Sequence, residues 1–358
     1  MTTIGVLFGG RSGEHEISLM SAASVINAID KTKYKIVMIG ITKQGRWLKY
    51  DGPFCHIEDG SWQNIAEEAL ERDPQNYEIT VLGTGGHSLK EQIDFALPIL
   101  HGPYGEDGTV QGLFEMMNLP YGGCGVASSA TCMDKGLAKA IFAQERLPQV
   151  RYRVVRSEEL EREKSRILQE LSDNLGFPMF VKPANMGSSV GIGKAKNKKE
   201  LKEALCNAAI YDQRIIVEEF IDCREIETAV IGNYDAEVAA VGEIIPSSEF
   251  YDYRAKYFDG GKSKLCIPAN LTLEQTETIQ EIAKKAYKAT DCCGFARVDF
   301  FISKNTGEIY LNEINTIPGF TKYSMFPLLW EAVGVPYPTL IERIITLGYE
   351  RHYAKNHR

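Results

Sequence analysis

Residues 295–315 read Phe295-Ala296-Arg297-Val298-Asp299-Phe300-Phe301-Ile302-Ser303, then Lys304-Asn305-Thr306-Gly307, then Glu308-Ile309-Tyr310-Leu311-Asn312-Glu313-Ile314-Asn315. Two runs rich in aromatic and β-branched residues flank a turn containing Asn and Gly, the pattern of a β-hairpin. Side chains on a strand repeat every second residue, so Arg297 and Asp299 share one face of the first strand, and Glu313 and Asn315 share one face of the second. If the strands pair, Asp299, Glu313 and Asn315 converge with Arg297 beside them. Three hard oxygen ligands suit Mg²⁺, which keeps waters and binds substrate phosphates. Arg297 could stabilise negative charge developing on a reacting oxygen. A purely structural, salt-bridged hairpin would use the same Arg–Asp pair, but it explains poorly a Glu-x-Asn on an otherwise apolar strand. Thr316-Ile317-Pro318-Gly319 ends the second strand and leaves the Gly319 N–H as a further oxyanion donor.

The next most informative stretch is Phe180-Val181-Lys182-Pro183-Ala184-Asn185-Met186-Gly187-Ser188-Ser189-Val190-Gly191-Ile192-Gly193. A strand brings Lys182 to its end, where Pro183 is expected to stop the ladder. The Gly/Ser-rich turn that follows offers N–H and O–H donors that could close over phosphate oxygens, with lysine as a point charge. A structural hairpin is the alternative. Lys135, after Cys132-Met133-Asp134, is a second candidate phosphate cation, although a lone lysine there is more often a solvated one. No GxxxxGK followed by Ser or Thr occurs, which excludes a P-loop, and no GxGxxG occurs. Gly9-Gly10, after the first apolar run, reads either as a tight strand-to-helix turn or as a backbone anion site at a helix N-terminus.

The 358 residues are too many for one ordinary core and suit two or three packed domains. A composition of 44% hydrophobic and 25% charged residues is that of a globular chain, and a net charge of -8 argues against nucleic acid or an anionic membrane as partner. No apolar run approaches a bilayer span, and the N-terminus has no basic n-region, so a cytoplasmic protein is expected. Eight cysteines without CxxC spacing read as reduced, mostly buried thiols. Strands at Ile4–Phe8, Tyr34–Ile41 and Phe95–Leu100, with a helix at Ile17–Ile29, predict an N-terminal α/β domain with a parallel sheet over 1–122. A central domain over 123–217 carries helices at Lys135–Gln144 and Glu158–Leu171 and strands near Tyr152 and at Met179–Val181. The last third alternates strands at Ile215–Phe220 and Glu225–Ile231, an irregular loop at Ser247–Lys264, a helix at Glu274–Ala289, the hairpin, and a last helix at Pro338–Leu347, with a C-terminal α+β domain expected over 218–358.

The chain resembles the D-alanine–D-alanine ligases of the ATP-grasp superfamily. The matching motifs are GGRSGEHEIS at 9–18, HGPYGEDGTVQG at 101–112, MDK at 133–135, VKPANMGSSVGI at 181–192, FYDYRAKY at 250–257, RVDFF at 297–301 and LNEINTIPGFTKYSM at 311–325. Together they span nearly the whole sequence. The resemblance implies an ATP-grasp fold and roles residue by residue. Glu14, Ser188 and Tyr257 form a hydrogen-bonded trio joining the substrate site to a closing loop, and His101 neighbours the first substrate. Lys135, Lys182 and Ser189 meet phosphate. Glu218, Phe220 and Ile221 form the adenine hinge, Glu225 accepts from ribose, and Lys256 sits on the closing loop. Asp299, Glu313 and Asn315 hold two Mg²⁺ ions, for which Mn²⁺ can substitute. Arg297 and Gly319 form the oxyanion site, and Ser324 and Met325 line the second substrate's carboxylate position. The implied partners are ATP, D-alanine and a second copy of the chain. The departures are Glu219, where some relatives carry lysine, and Lys322 near the second subsite.

A carboxylate is a poor electrophile, and phosphorylation by ATP would turn its oxygen into a leaving group for attack by a second amine. D-Serine and D-lactate are the alternative second substrates. The Tyr253–Tyr257 run and Met325 fit the D-alanine type by resemblance. A non-catalytic nucleotide-binding protein would not be expected to keep Arg297, Asp299, Glu313 and Asn315 together.

Overall fold

The computed structural model describes residues 1–73, 92–187, 190–245 and 264–357. Ser188, Ser189, Lys256, Tyr257 and nearly all of the expected loop at Ser247–Lys264 lie outside the described residues.

The chain begins with β1 (Thr2–Gly9), α1 (His15–Ala28), β2 (Tyr34–Ile41), β3 (Trp47–Tyr50), α2 (Cys55–Glu58), α3 (Trp62–Arg72), β4 (Phe95–Pro98) and α4 (Thr109–Met116). The first sheet has the order β3-β2-β1-β4. β1 pairs in parallel with β2 and β4, as expected, and β3 adds an antiparallel edge. β1 is buried from Ile4 to Gly9, which is why it reads as a continuous apolar run without alternation.

Then come α5 (Val126–Met133), α6 (Lys135–Gln144), β5 (Tyr152–Arg156), α7 (Ser157–Leu175), β6 (Met179–Pro183), β7 (Gly193–Ala195), α8 (Lys198–Tyr211) and β8 (Arg214–Glu219). The second sheet, β5-β8-β6-β7, is antiparallel throughout. One face packs Met179, Val181, Ile215 and Val217 against Ile167 and Leu171 of α7 and Leu201 and Leu205 of α8. The two-residue period therefore turns Phe180, Lys182 and Glu218 to the opposite face. Pro183 is the last residue of β6, as expected, in register with Ile215, and just beyond it the Ala184 N–H reaches the Arg214 carbonyl.

The last stretch comprises β9 (Cys223–Gly232), β10 (Glu237–Ile245), β11 (Lys264–Cys266), α9 (Leu273–Ala289), β12 (Gly294–Ser303), β13 (Ile309–Asn315), α10 (Met325–Glu331) and α11 (Tyr337–Asn356). The third sheet runs β11-β10-β9-β12-β13, antiparallel, and confirms the hairpin. Ala296, Val298, Phe300 and Ile302 face one core with α9, while Phe295 faces another with Phe320, Phe326 and α11.

Helix α11 runs nine residues past the expected end at Leu347. Gly348 is inside it because the helix lies directly on the first sheet. A Cβ at Gly348 would stand 2.5 Å from the Tyr121 carbonyl oxygen and 2.7 Å from the Phe95 ring. Beyond it, Tyr349 packs on Phe95 with ring centroids 4.9 Å apart, and Arg351 covers the Tyr121 ring at 3.9 Å. Helix α11 thus ties the first sheet to the third. Gly→Ala inside a helix normally stabilises by about 1 kcal/mol. Here overpacking, worth about 1–3 kcal/mol, outweighs propensity. Gly348→Ala should lower the urea midpoint, and a raised midpoint would show that the close approach is not a constraint.

Candidate active site

The second and third sheets face one another across a cavity of about 1050 Å³, closed on a third side by Glu14, His101 and Glu106. Every expected site residue among those described lines it, apart from Ser324 and Met325. Met325 is buried in the core against Gly242, and Ser324 accepts the Thr321 N–H at 3.0 Å behind Gly319. Their side chains stand outside the cavity wall formed by the described residues. An apolar side chain in the first turn of a helix finds more to bury in the core than in a charged cleft.

The cationic side is built on α6 and β6. Asp134 caps α6, accepting the Leu137 N–H at 3.0 Å, and is itself paired with Arg214. The next residue, Lys135, sits in the first turn, where the helix dipole disfavours a cation. It points into the cavity, donates to the Met186 carbonyl at 3.0 Å and lies 3.5 Å from Glu313. Lys182 contacts Glu218 at 2.5 Å, and Lys139 approaches the same carboxylate at 3.0 Å. Burial alone would raise the Glu218 carboxyl, but the two ammonium groups hold it well below the usual carboxylate range. Burial opposes the charge on Lys182, yet Glu218, Glu313 and Glu225 raise its pKa. Phe180 and Phe220, with centroids 5.8 Å apart, form an apolar wall, with the Lys194 ammonium over the Phe220 ring at 3.9 Å. Glu219, the expected departure, is paired with Arg151.

The anionic side is the hairpin of β12 and β13. Arg297 is opposite Asn315 and Asp299 opposite Glu313 in register; the register then slips, so that Phe300 faces Leu311. Asn312 is the extra residue of a bulge. It lets both Leu311 and Ile314 reach the core while Glu313 and Asn315 keep the cavity face. Arg297 grips Asp299 with two bonds of 2.7 and 2.8 Å, lies 3.0 Å from Glu227, and the Asn315 amide donates to Asp299 at 2.9 Å. The salt-bridged hairpin and the charged site are therefore the same object. Among the described residues no three His, Cys, Asp or Glu side chains gather into a ready cluster for a metal. Two carboxylates and one amide oxygen remain a donor set suited to Mg²⁺ completed by water and phosphate.

At the third side, Ser12 joins the glycine turn to the cavity: its hydroxyl donates to the His101 carbonyl at 2.7 Å and accepts the Glu14 N–H at 3.1 Å. His101 is buried, with Nδ1 2.8 Å from the Ile317 carbonyl and Nε2 3.2 Å from the Ser21 hydroxyl. Burial lowers its pKa and keeps it neutral. Glu106, Glu227, Lys139 and Ser21 were not picked out in sequence. Glu227 had a signal, since it continues the two-residue spacing from Glu225. Lys139, flanked by alanines on a helix, had none.

Two lysines facing an oxygen-rich hairpin across a cleft between two antiparallel sheets fit a ligase of the ATP-grasp type. Family models described as D-ala D-ala ligase N-terminus and D-ala D-ala ligase C-terminus match residues 3–124 and 141–346. The D-alanine–D-alanine ligase of Thermoanaerobacter sp. (strain X514) is 51% identical over 352 residues, covering 98% of each chain. That of Ruminiclostridium cellulolyticum is 49% identical, covering 98% of this chain and 96% of the relative. Among solved structures, the VanG D-Ala:D-Ser ligase from Enterococcus faecalis superposes with a TM-score of 0.84 at 36% identity, covering 97% of this chain and 99% of that one. The D-alanine-D-alanine ligase from Coxiella burnetii gives 0.83 at 36% identity, covering 99% and 97%. The chain belongs to the D-alanine–D-alanine ligase family.

Burial and the charge of Glu14 push the Glu106 carboxyl from 4.5 up to about 8, against the pull of the Gly102 and Ile317 N–H groups and of Arg297. A carboxyl whose folded pKa is raised contributes stability that is full below about 4.5 and is lost as pH rises through about 8. Glu106→Gln cannot ionise. Between those pH values the unmutated protein should lose melting temperature relative to Glu106→Gln, and parallel profiles in thermal melts would contradict the shift.

Proposed function

We infer that the chain catalyses ATP-dependent, ADP-forming ligation of two D-alanines to D-alanyl-D-alanine, the dipeptide of peptidoglycan precursors, through a D-alanyl phosphate. The observation that carries this reading is the meeting of Lys135 and Lys182 with the Glu313–Asp299 hairpin in one cavity, beside Arg297. In this reading the adenine lies along Phe180, Phe220 and Ile221 at the Glu218 hinge, with Glu225 toward the ribose. Lys135 and Lys182 neutralise the phosphates, which favours attack by the first D-alanine carboxylate on the γ-phosphorus. Asp299, Glu313 and Asn315 would hold magnesium, which neutralises phosphate charge when bound. The second D-alanine, as free amine, then attacks the acyl carbon. Arg297 and the Gly319 N–H stabilise the oxyanion, and phosphate leaves. Acyl phosphates hydrolyse readily, so water must be kept out; Ser188, Ser189, Lys256 and Tyr257 belong to the segments assigned to that closure.

The division at 1–122, 123–217 and 218–358, the homodimer and a cytoplasmic setting, where ATP is available, are part of the same proposal. No helix among the described residues is long and apolar enough to cross a membrane. D-Alanine labelled with ¹⁸O in its carboxylate should pass label into inorganic phosphate during turnover; dipeptide formed with unlabelled phosphate would exclude the acyl phosphate. The likeness to a D-Ala:D-Ser ligase makes D-serine the second reading. With equal D-alanine, D-serine and D-lactate at neutral pH, mass spectrometry should find essentially only D-alanyl-D-alanine, and dominant alanyl-serine would move the assignment to that second substrate.

Glu313→Gln should keep the fold, because this side chain faces the cavity and not a core. The magnesium concentration for half-maximal turnover should rise by at least the roughly tenfold that even a supporting group around a metal is worth. An unchanged magnesium dependence would remove Glu313 from the metal site.

A further inference from the structure

The turn from Thr316 to Phe320 carries Gly319, yet its anchors come from far away in the chain. The Ile317 N–H donates to Glu106 Oε1 at 3.0 Å, across 211 residues of sequence. The Ile317 carbonyl accepts from His101 Nδ1 at 2.8 Å, and the Phe320 N–H donates to the Ser21 hydroxyl at 3.2 Å, across 299 residues. The other Glu106 oxygen accepts the Gly102 N–H at 2.7 Å, which locks the carboxyl group to the loop that bears His101.

These bonds form one network. A carbonyl only accepts, so His101 carries its proton on Nδ1 and presents a bare Nε2 to the Ser21 hydroxyl, 3.2 Å away. Ser21 can then give its proton to His101 and accept the Phe320 N–H. The N–H and the carbonyl of Ile317 and the N–H just beyond Gly319 are thus held, so the Pro318–Gly319 segment between them has little freedom. A carboxyl group of this length, protonated or not, offers an oxygen acceptor to each of two backbone N–H groups, whereas an amide offers one.

We propose that Glu106 is a positioning residue for the ligation: with His101 and Ser21 it fixes the Thr316–Phe320 turn, and so aims the Gly319 N–H at the developing oxyanion. This rests on the oxyanion role read above for Gly319. It also makes helix α1 and the loop after β4 part of the support of the oxyanion site.

The test compares Glu106→Ala, which removes both acceptors, with Glu106→Gln, which keeps one. Glu106→Ala should lower kcat by about a hundredfold, the loss that a displacement of about 1 Å can cause. The KM for ATP should stay within about twofold, since the phosphate cations are untouched, and Glu106→Gln should fall between. Amide exchange in residues 316–320 should quicken by about tenfold, one hydrogen bond's worth. A kcat within about twofold of the unmutated enzyme overturns the proposal. If Glu106→Ala does not fold, Ser21→Ala, which releases only the Phe320 N–H, should show faster exchange and a several-fold lower kcat; an unchanged kcat again overturns it. Gly319→Ala separates the two layers, because its Cβ would stand 2.6 Å from Ser324 Oγ and displace the turn directly. If Gly319→Ala loses turnover while Glu106→Ala does not, only the positioning role falls. If Gly319→Ala keeps full turnover, the oxyanion reading falls and the positioning role with it.

Discussion

Lys182, Glu218 and Lys139 stand in a row inside the protein, with the carboxylate 2.5 Å from one ammonium and 3.0 Å from the other. A buried charge without a partner costs several kcal/mol, so a pocket meant for a polyanion cannot keep its cations bare while it waits. Glu218 meets that constraint for Lys182, and Glu313 meets it for Lys135. On the opposite wall Asp299 and Glu227 do the same for Arg297. The two walls are thus charged, closely spaced and stable before any substrate arrives. Entry of phosphate and cation would exchange these partners for stronger ones, with little reorganisation of the sheets that carry them.

The sheets supply that rigidity through their cores. Each wall is carried on an antiparallel sheet whose opposite face is packed with Ile, Val and Leu. The bulge at Asn312 reconciles the two demands on β13. In a regular strand without the bulge, Leu311 and Ile314, three residues apart, would fall on opposite faces, and either the core or the carboxylate pair would lose a member. Function and packing are satisfied by one irregular residue.

The third wall works differently. It comes from the glycine turn, helix α1 and the loop at 101–106, and it meets the backbone of the Thr316–Phe320 turn through side-chain hydrogen bonds and not through ion pairs. Such bonds are directional and weakly screened, which suits a group whose task is to hold an N–H in place. Helix α11, lying on the first sheet at Gly348 and on the third through Phe295 and Phe326, keeps the two sides of that network in register.

Much of this was legible in the sequence because it depends on local rules. Tyr34–Ile41 and Lys135–Gln144 fall where the sequence pattern puts them. Arg297, Asp299, Glu313 and Asn315 follow from the alternation of a hairpin whose turn announces itself, and Lys182 from the strand that ends in Pro183. Tertiary structure alone decided the partners. Lys139 looks like a surface lysine until the second sheet brings Glu218 over it. Glu106 and Ser21 acquire their role only when a turn more than two hundred residues away is laid against them. Met325, apolar and adjacent to the site, went to the core for the same reason. Periodicity tells which face a side chain takes, but what waits on that face is set by segments remote in sequence, and burial, pairing and hydrogen bonding are properties of that meeting.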